Sequence, residues 1–336
     1  MSFKRRVHWL FLYYLLGGCL CVCSQTAVAA IGKKTFAQEI FERQRFEGES
    51  LKGKNIDEEK PALHHLLADN VQQLKIYDTQ NDAFISIEVW LERTNHVQYL
   101  LIGEVHNQAS HPEQLLTIIS LLNARTKQET QTGQHTQAIT KIPIVLEMLE
   151  ENDLGEQRLV RGWDSAIYNP LFTNLKQQAQ LISGALTPKQ RNQLFNKQTL
   201  AKNAQTKLDS KAPILATLED IPKSVYRAID QDIIVQHGSH PIDSQLARQM
   251  TNVQLGKDAK MAHLLQQASS QNTLAILYAG IYHVRKDRGV PLHLFKRSIM
   301  TVIFQNANKH HASYKALRKM QDYTFEQADY VMYLVQ

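Results

Sequence analysis

The chain has 336 residues, of which 43% are hydrophobic and 21% charged, enough for the core of one large or two small domains. The formal net charge is +6, but Lys4, Arg5 and Arg6 lie in an N-terminal targeting segment without an acidic residue, and the remainder carries only +3. So weak and scattered a charge argues against a nucleic-acid-binding class.

Residues 1–29 read as a secretory signal. Lys4-Arg5-Arg6 is the positive start, Val7 to Val22 is a nearly continuous apolar run, and Ser24 to Ala29 is a small-residue cleavage site. Leu16-Gly17-Gly18-Cys19 also fits a lipobox, in which Cys19 would be lipidated. Soluble export to the periplasm is the expectation, with lipid anchoring through Cys19 as the alternative. All three cysteines (Cys19, Cys21 and Cys23) lie in this segment, so cleavage after Ala29 leaves no disulfide and no thiolate metal site. No later stretch approaches membrane-spanning length.

Residues 30–73 read as a polar leader with short helices, and His64-His65 as part of a solvated face. The main domain is placed at 74–336. Leu74 to Tyr77 is expected as a strand, Asp78 to Asp82 as a turn, Ile85 to Arg93 as a helix and Val97 to Ile102 as a buried strand closed by Gly103. Pro112 suits the first residue of the next helix, and residues 125–140 read as a surface loop. Ile144 to Met148 is a further buried strand. Residues 152–210 read as a helical insert over the sheet. A strand follows at Pro213 to Leu218, a helix at Leu246 to Gln267, and strands at Thr273 to Tyr278, Ser298 to Phe304 and Tyr330 to Leu334. Short apolar strands alternating with amphipathic helices imply an α/β fold: a mostly parallel sheet flanked by helices, with a smaller helical insert.

One device occurs twice. Tyr99 to Ile102 ends in Gly103-Glu104-Val105-His106, and Ala275 to Ala279 ends in Gly280-Ile281-Tyr282-His283. Ligands of parallel sheets sit at the carboxyl ends of strands, so both histidines are expected on one rim, with Glu147 at the end of a third strand and Glu104 inside the first turn. Two imidazoles with one or two carboxylates suit a divalent transition metal held by His106, His283 and Glu147, or the axial and propionate contacts of a porphyrin. His111 is either an exposed residue at a helix start or a loop ligand converging with His106. On a helix the two would stand about 140° apart and share no face. Arg285, Lys286 and Arg288 are either a clamp for propionates or a solvated loop. Tyr168 and Tyr282 are each either a phenolate ligand to ferric iron or a packing residue, and Tyr168 reads as packing.

These residues resemble the ChaN-like haem-binding proteins of the Tiki and erythromycin-esterase superfamily. Gly103-Glu104-Val105-His106-Asn107 through His111 is similar to that family's Gly-Glu-x-His-Asp signature, and Val145 to Met148 to its glutamate strand. Trp163 through Tyr168-Asn169-Pro170 is similar to its Trp…Tyr-x-Pro segment, and Gly280 to His283 with Gly289-Val290-Pro291 to its second motif. Tyr77-Asp78 and Ala328-Asp329-Tyr330 also fit, so the resemblance runs over residues 74–335. Asn107 replaces the usual Asp and Pro112 the second His of a pair; Glu104, His106, Glu147 and His283 are intact. The resemblance implies an exported protein that binds haem for iron uptake, with an outer-membrane uptake receptor and a second copy of the chain as partners. Superfamily relatives include metal-dependent proteases and an esterase. A metal-dependent hydrolase, with Glu104 or Glu147 as base, is therefore the alternative, and a binding module without chemistry is a third.

The N-terminal reading has a direct test. Intact-mass analysis of protein expressed with its native N-terminus should give a mature chain starting near Ala30. A mass starting at an acylated Cys19 would establish the lipoprotein instead.

Overall fold

The structure is a computed structural model. It describes residues 74–131, 141–152, 155–196, 221–238, 240–269, 274–294, 298–308, 313–320 and 322–335. The leader, His64-His65 and the strand expected at 213–218 lie outside the described residues.

The elements run β1 (Leu74–Asp78), β2 (Ala83–Ile85), α1 (Ile87–Thr94), β3 (Tyr99–Glu104), α2 (Ser110–Gln131), β4 (Ile142–Leu146), β5 (Leu149–Glu151) and β6 (Gln157–Leu159). They continue with α3 (Ser165–Gln178), β7 (Ala179–Ser183), α4 (Pro188–Phe195), α5 (Lys223–Gln236), α6 (Ser244–Ala268), β8 (Ala275–Gly280), α7 (Ile281–Val284) and a 3-10 turn (Val290–His293). β9 (Ile299–Ala307), α8 (Tyr314–Lys319) and β10 (Tyr330–Val335) complete the order.

Eight strands form one sheet in the order β2-β1-β10-β9-β3-β8-β4-β7. The six strands from β10 to β7 are parallel, and β1 closes antiparallel on β10 with β2 beside it. This is the expected α/β fold. The apolar strand that ends in Gly280 lies inside the sheet, between β3 and β4.

Alternation along the strands makes two cores. Leu100, Ile102, Ile144, Ile276 and Tyr278 face one side, where α1, α2 and α3 supply Trp90, Leu115, Ile118 and Leu175. Tyr99, Leu101, Val145, Leu277 and Ile303 face the other, against Met261 and Leu265 of α6. Each such side chain contributes about 1.5–3 kcal/mol of burial, so the central strands are rigid. A third cluster joins α4, α5 and α6 through Leu194, Ile229, Ile233 and Leu255.

The helices begin where short polar side chains take up free backbone N–H groups. Ser86 accepts from Val89, Asp164 from Ala166 and Asp243 from Leu246, and Thr187 with Gln190 forms a capping box before Pro188.

Two expectations need correction. The stretch 152–210 is not purely helical: it contains β6, and β7 pairs with β4 as the sheet's last strand. Its pattern is weak because an edge strand buries little, and only Ala179 and Ser183 are buried in β7. The loop expected from residue 125 is helical as far as Gln131, as the helix that docks through Leu121 and Leu122 runs on.

Gly103 marks where α7 crosses β3. A Cβ there would lie 2.5 Å from Val284 Cγ2 and 3.1 Å from the Ile281 Cα. Gly103→Ala should therefore destabilise the fold by about 1–3 kcal/mol, read as a lower thermal midpoint. An unchanged midpoint would mean that α7 does not press on the strand.

Candidate functional site

The carboxyl ends of β3, β8 and β4 bring Glu104, Gly280 and Glu147 together. Beyond β3 the chain turns sharply: Asn107 has φ 61°, in the left-handed region that Asn tolerates better than most residues. The turn is pinned from α3. The Asn107 N–H donates to the Tyr168 hydroxyl at 3.1 Å, and Asn107 Oδ1 accepts from the Asp164 N–H at 3.2 Å.

His106 is held from several directions. Its Nδ1 lies 3.2 Å from Glu104 Oε1, its ring meets Trp163 edge-on at 4.1 Å, and it packs on Gly280. A Cβ at Gly280 would stand 2.7 Å from His106 Nε2, so glycine is required for this approach. The His106 side chain keeps 20% exposure. Glu104 itself is buried. Its Oε1 also accepts from the Tyr168 hydroxyl at 2.6 Å, while Oε2 has no hydrogen-bond partner among the described residues. Burial first, and then the Glu104 charge, raise the Tyr168 phenol far above its ordinary value. The Tyr168 hydroxyl is therefore engaged as a hydrogen-bond donor to Glu104.

His283 has a different setting. It is buried, with Nε2 3.0 Å from Glu147 Oε1 and Nδ1 2.5 Å from Asp258 Oδ1. Glu147 also accepts from Lys257 Nζ at 3.0 Å and from the Gly280 N–H at 2.9 Å. Burial alone would lower the His283 pKa. The carboxylates of Glu147 and Asp258 outweigh it and leave the ring raised to about 9. Burial pushes Glu147 up, but His283 and Lys257 more than reverse this and hold it well below the carboxylate range. Asp258, whose Oδ1 meets His283 and whose Oδ2 has no partner among the described residues, stays raised by burial.

The expected ligands meet around Gly280, but each is already engaged. Both ring nitrogens of His283 face carboxylates, and His106 Nε2 and Glu147 Oε2 lie 2.7 and 3.5 Å from where a Gly280 Cβ would stand. Among the described residues no group of three or more His, Cys, Asp or Glu side chains is disposed to hold a metal ion. His111 is neither exposed nor a partner of His106. Its Nδ1 accepts the Val105 N–H at 3.0 Å, and its Nε2 lies 3.2 Å from Asn306 Oδ1. Burial pulls its pKa down to about 4, so it is a neutral brace for the turn. The expected anion clamp is already occupied: Arg285 makes two bonds to Asp287 (2.9 and 2.6 Å), Arg288 binds Asp287 and Asp232, and Lys286 binds Asp329 at 2.7 Å. Tyr282 does stand out, with 41% of its surface exposed on α7.

The sequence reading passed over Gln254, Lys257 and Asp258. A signal existed for Asp258, which shares its helix face with the buried Leu255, Ala262 and Leu265. A charge on an apolar stripe demands a buried partner.

Fold and site together define an α/β protein whose polar centre lies at the carboxyl edge of a parallel sheet. The model of the family described as haem-binding uptake, Tiki superfamily, ChaN matches residues 90–294, more than half of the chain, and the chain belongs to that family. Among solved structures, it is similar to ChaN of Campylobacter jejuni, described as binding haem cofacially. The identity is 18%, the match covers 77% of this chain and 96% of that one, and the TM-score is 0.53. That likeness is one of fold. A Bacillus cereus protein matches at 10% identity over 74% of this chain and 91% of its own, with a TM-score of 0.34. No curated sequence matches the chain.

The clamped imidazolium has a pH signature. A raised folded-state pKa stabilises fully below the ordinary value near 6.5, and that contribution is lost as pH rises through about 9. The thermal midpoint should therefore fall between pH 6.5 and 9.5, and His283→Gln should remove most of that slope. An equal slope in the variant would show that His283 is not charged in the folded state.

Proposed function

We propose that this chain binds haem at the α7 side of the sheet's carboxyl edge, with Tyr282 as the donor to iron. One observation carries the reading: a tyrosine exposed to 41% stands two residues beyond the buried end of an interior strand, while its neighbour His283 is locked inward. A phenol suits ferric iron, and a rigid strand end holds a ligand at fixed geometry. His106, with its partly exposed ring next to Gly280, is the second contact of the reading. When bound, haem supplies a ferric iron that accepts an oxygen donor and a broad apolar plane.

Family membership supports a role in uptake. The basic and then apolar start of the chain supports export to the periplasm, where an outer-membrane receptor would be the partner in transfer. Pairing with a second copy belongs to the same reading. The hydrolase reading finds no comparable support. Glu147 already accepts from three groups, and its pKa is held well below the carboxylate range, which makes it a weak base; Glu104 is buried beneath Tyr168 and His106.

Titration of hemin into purified protein tests the proposal through the Soret band. Wild type should saturate above an albumin control. Tyr282→Phe should bind at least about tenfold more weakly and lose the phenolate-to-iron absorption. Saturable binding with an identical spectrum in Tyr282→Phe would sink the ligand assignment, and no saturable binding by wild type would sink the haem reading.

A further inference from the structure

The parallel strands are staggered. Tyr330, the first residue of β10, is level with Val302, Ile102 and Tyr278 of its neighbours. The loop before β10 therefore meets the sheet two to three residues short of the carboxyl ends of β3 and β8, where the segment after α7 crosses. Three contacts fasten it there. The Lys286 N–H donates to the Gln327 carbonyl at 2.9 Å, Lys286 Nζ pairs with Asp329 at 2.7 Å, and Ala328 and Tyr323 pack into the core that holds Val284. Tyr323 also lies in the field of Tyr282, which together with burial raises its phenol.

Phe325 sits at the tip of this loop and is 39% exposed. Lys286 Nζ stands 3.5 Å from its ring centroid, a cation–π contact that orients the ring. Five large apolar or aromatic side chains are exposed among the described residues: Val89, Val235, Tyr282, Tyr314 and Phe325. Only Tyr282 and Phe325 belong to the fastened pair of segments around α7. An exposed phenol, a second aromatic ring held by a lysine, and a half-buried tyrosine that interacts with the first make a patch of one chemical character around α7. Phe325 also lies outside residues 90–294, so membership of the family does not assign it.

We propose that Phe325 is a porphyrin-binding residue, an apolar wall against which the haem plane rests while Tyr282 holds the iron. This rests on the haem reading above. A flat, largely apolar macrocycle needs an aromatic surface next to its metal donor, and Lys286 is placed at the patch's edge, where a propionate would exchange with Asp329 as its partner.

The test uses the full chain and hemin. Phe325→Ala should bind about tenfold more weakly with the Soret maximum of wild type, because the iron donor is untouched. Phe325→Leu, which keeps apolar bulk but not the flat face, should also be weakened, and Phe325→Trp should restore affinity. Thermal midpoints of all three should match wild type, since the side chain is exposed. Wild-type affinity in Phe325→Ala would overturn this inference and leave haem binding standing. A shifted Soret maximum in Phe325→Ala would also overturn it, because the residue would then be acting through the iron ligand. Absence of saturable binding by wild type would instead remove the haem reading itself.

Discussion

His283, as a buried imidazolium, joins three parts of the chain that are far apart in sequence. Glu147 ends β4, His283 sits on α7 beyond β8, and Asp258 lies in the middle of α6. Taking these charges out of water costs several kcal/mol each, and mutual attraction repays this only with good geometry, so the cluster is weak evidence of net stability. Its consequence is positional. Removing His283 strips both carboxylates of their shared partner, at a cost of about 3–5 kcal/mol. The helix α6, the end of β4 and the turn after β8 are thus held in one relative placement.

The rest of the edge follows from that placement. Glu147 Oε2 takes the Gly280 N–H, which fixes the last residue of β8. The turn α7 starts there, and successive residues on a helical turn point about 100° apart. With His283 held inward, Tyr282 must face out. The chain then folds back over the same turn. The Gly289 N–H donates to the Arg285 carbonyl at 2.8 Å, and a Cβ on Gly289 would stand 2.3 Å from the His283 carbonyl oxygen, so only glycine allows the return. Gly103 and Gly280 serve the same end at other points, admitting α7 and the His106 ring.

The architecture was largely legible in the sequence. Interior strands of a parallel sheet are buried on both faces, so Tyr99–Glu104, Ile142–Leu146 and Ala275–Gly280 read as short apolar runs closed by polar or glycine residues. The edge strands β2 and β7 were missed because half-exposed strands lose that signature. At the site, the meeting of Glu104, His106, Glu147 and His283 was legible, because topology alone brings the ends of β3, β8 and β4 together. What each side chain meets was not. Asp258 and Lys257 come from a helix, and no spacing within the sequence relates them to His283. The same holds for Asn306, whose carbonyl oxygen turns His111 from a candidate ligand into a brace.

The two Gly-x-x-His turns show how far a motif reaches. Both place an imidazole beyond a buried strand end, and both rings meet carboxylates. His106 meets one, Glu104, which already accepts from Tyr168, and its ring edge stays open to solvent. His283 meets two and is closed. The difference lies in what packs over each turn: the start of α3 with Trp163 in one case, the polar face of α6 in the other. The departure at Asn107 fits the first setting. Its backbone takes the left-handed conformation, and its carbonyl oxygen accepts from Asp164 beside the buried Glu104. An aspartate could make the same bond but would add a third negative charge between Glu104 and Asp164. The neutral amide keeps the geometry of the turn without that repulsion, and leaves Glu104 as the single carboxylate that orients His106.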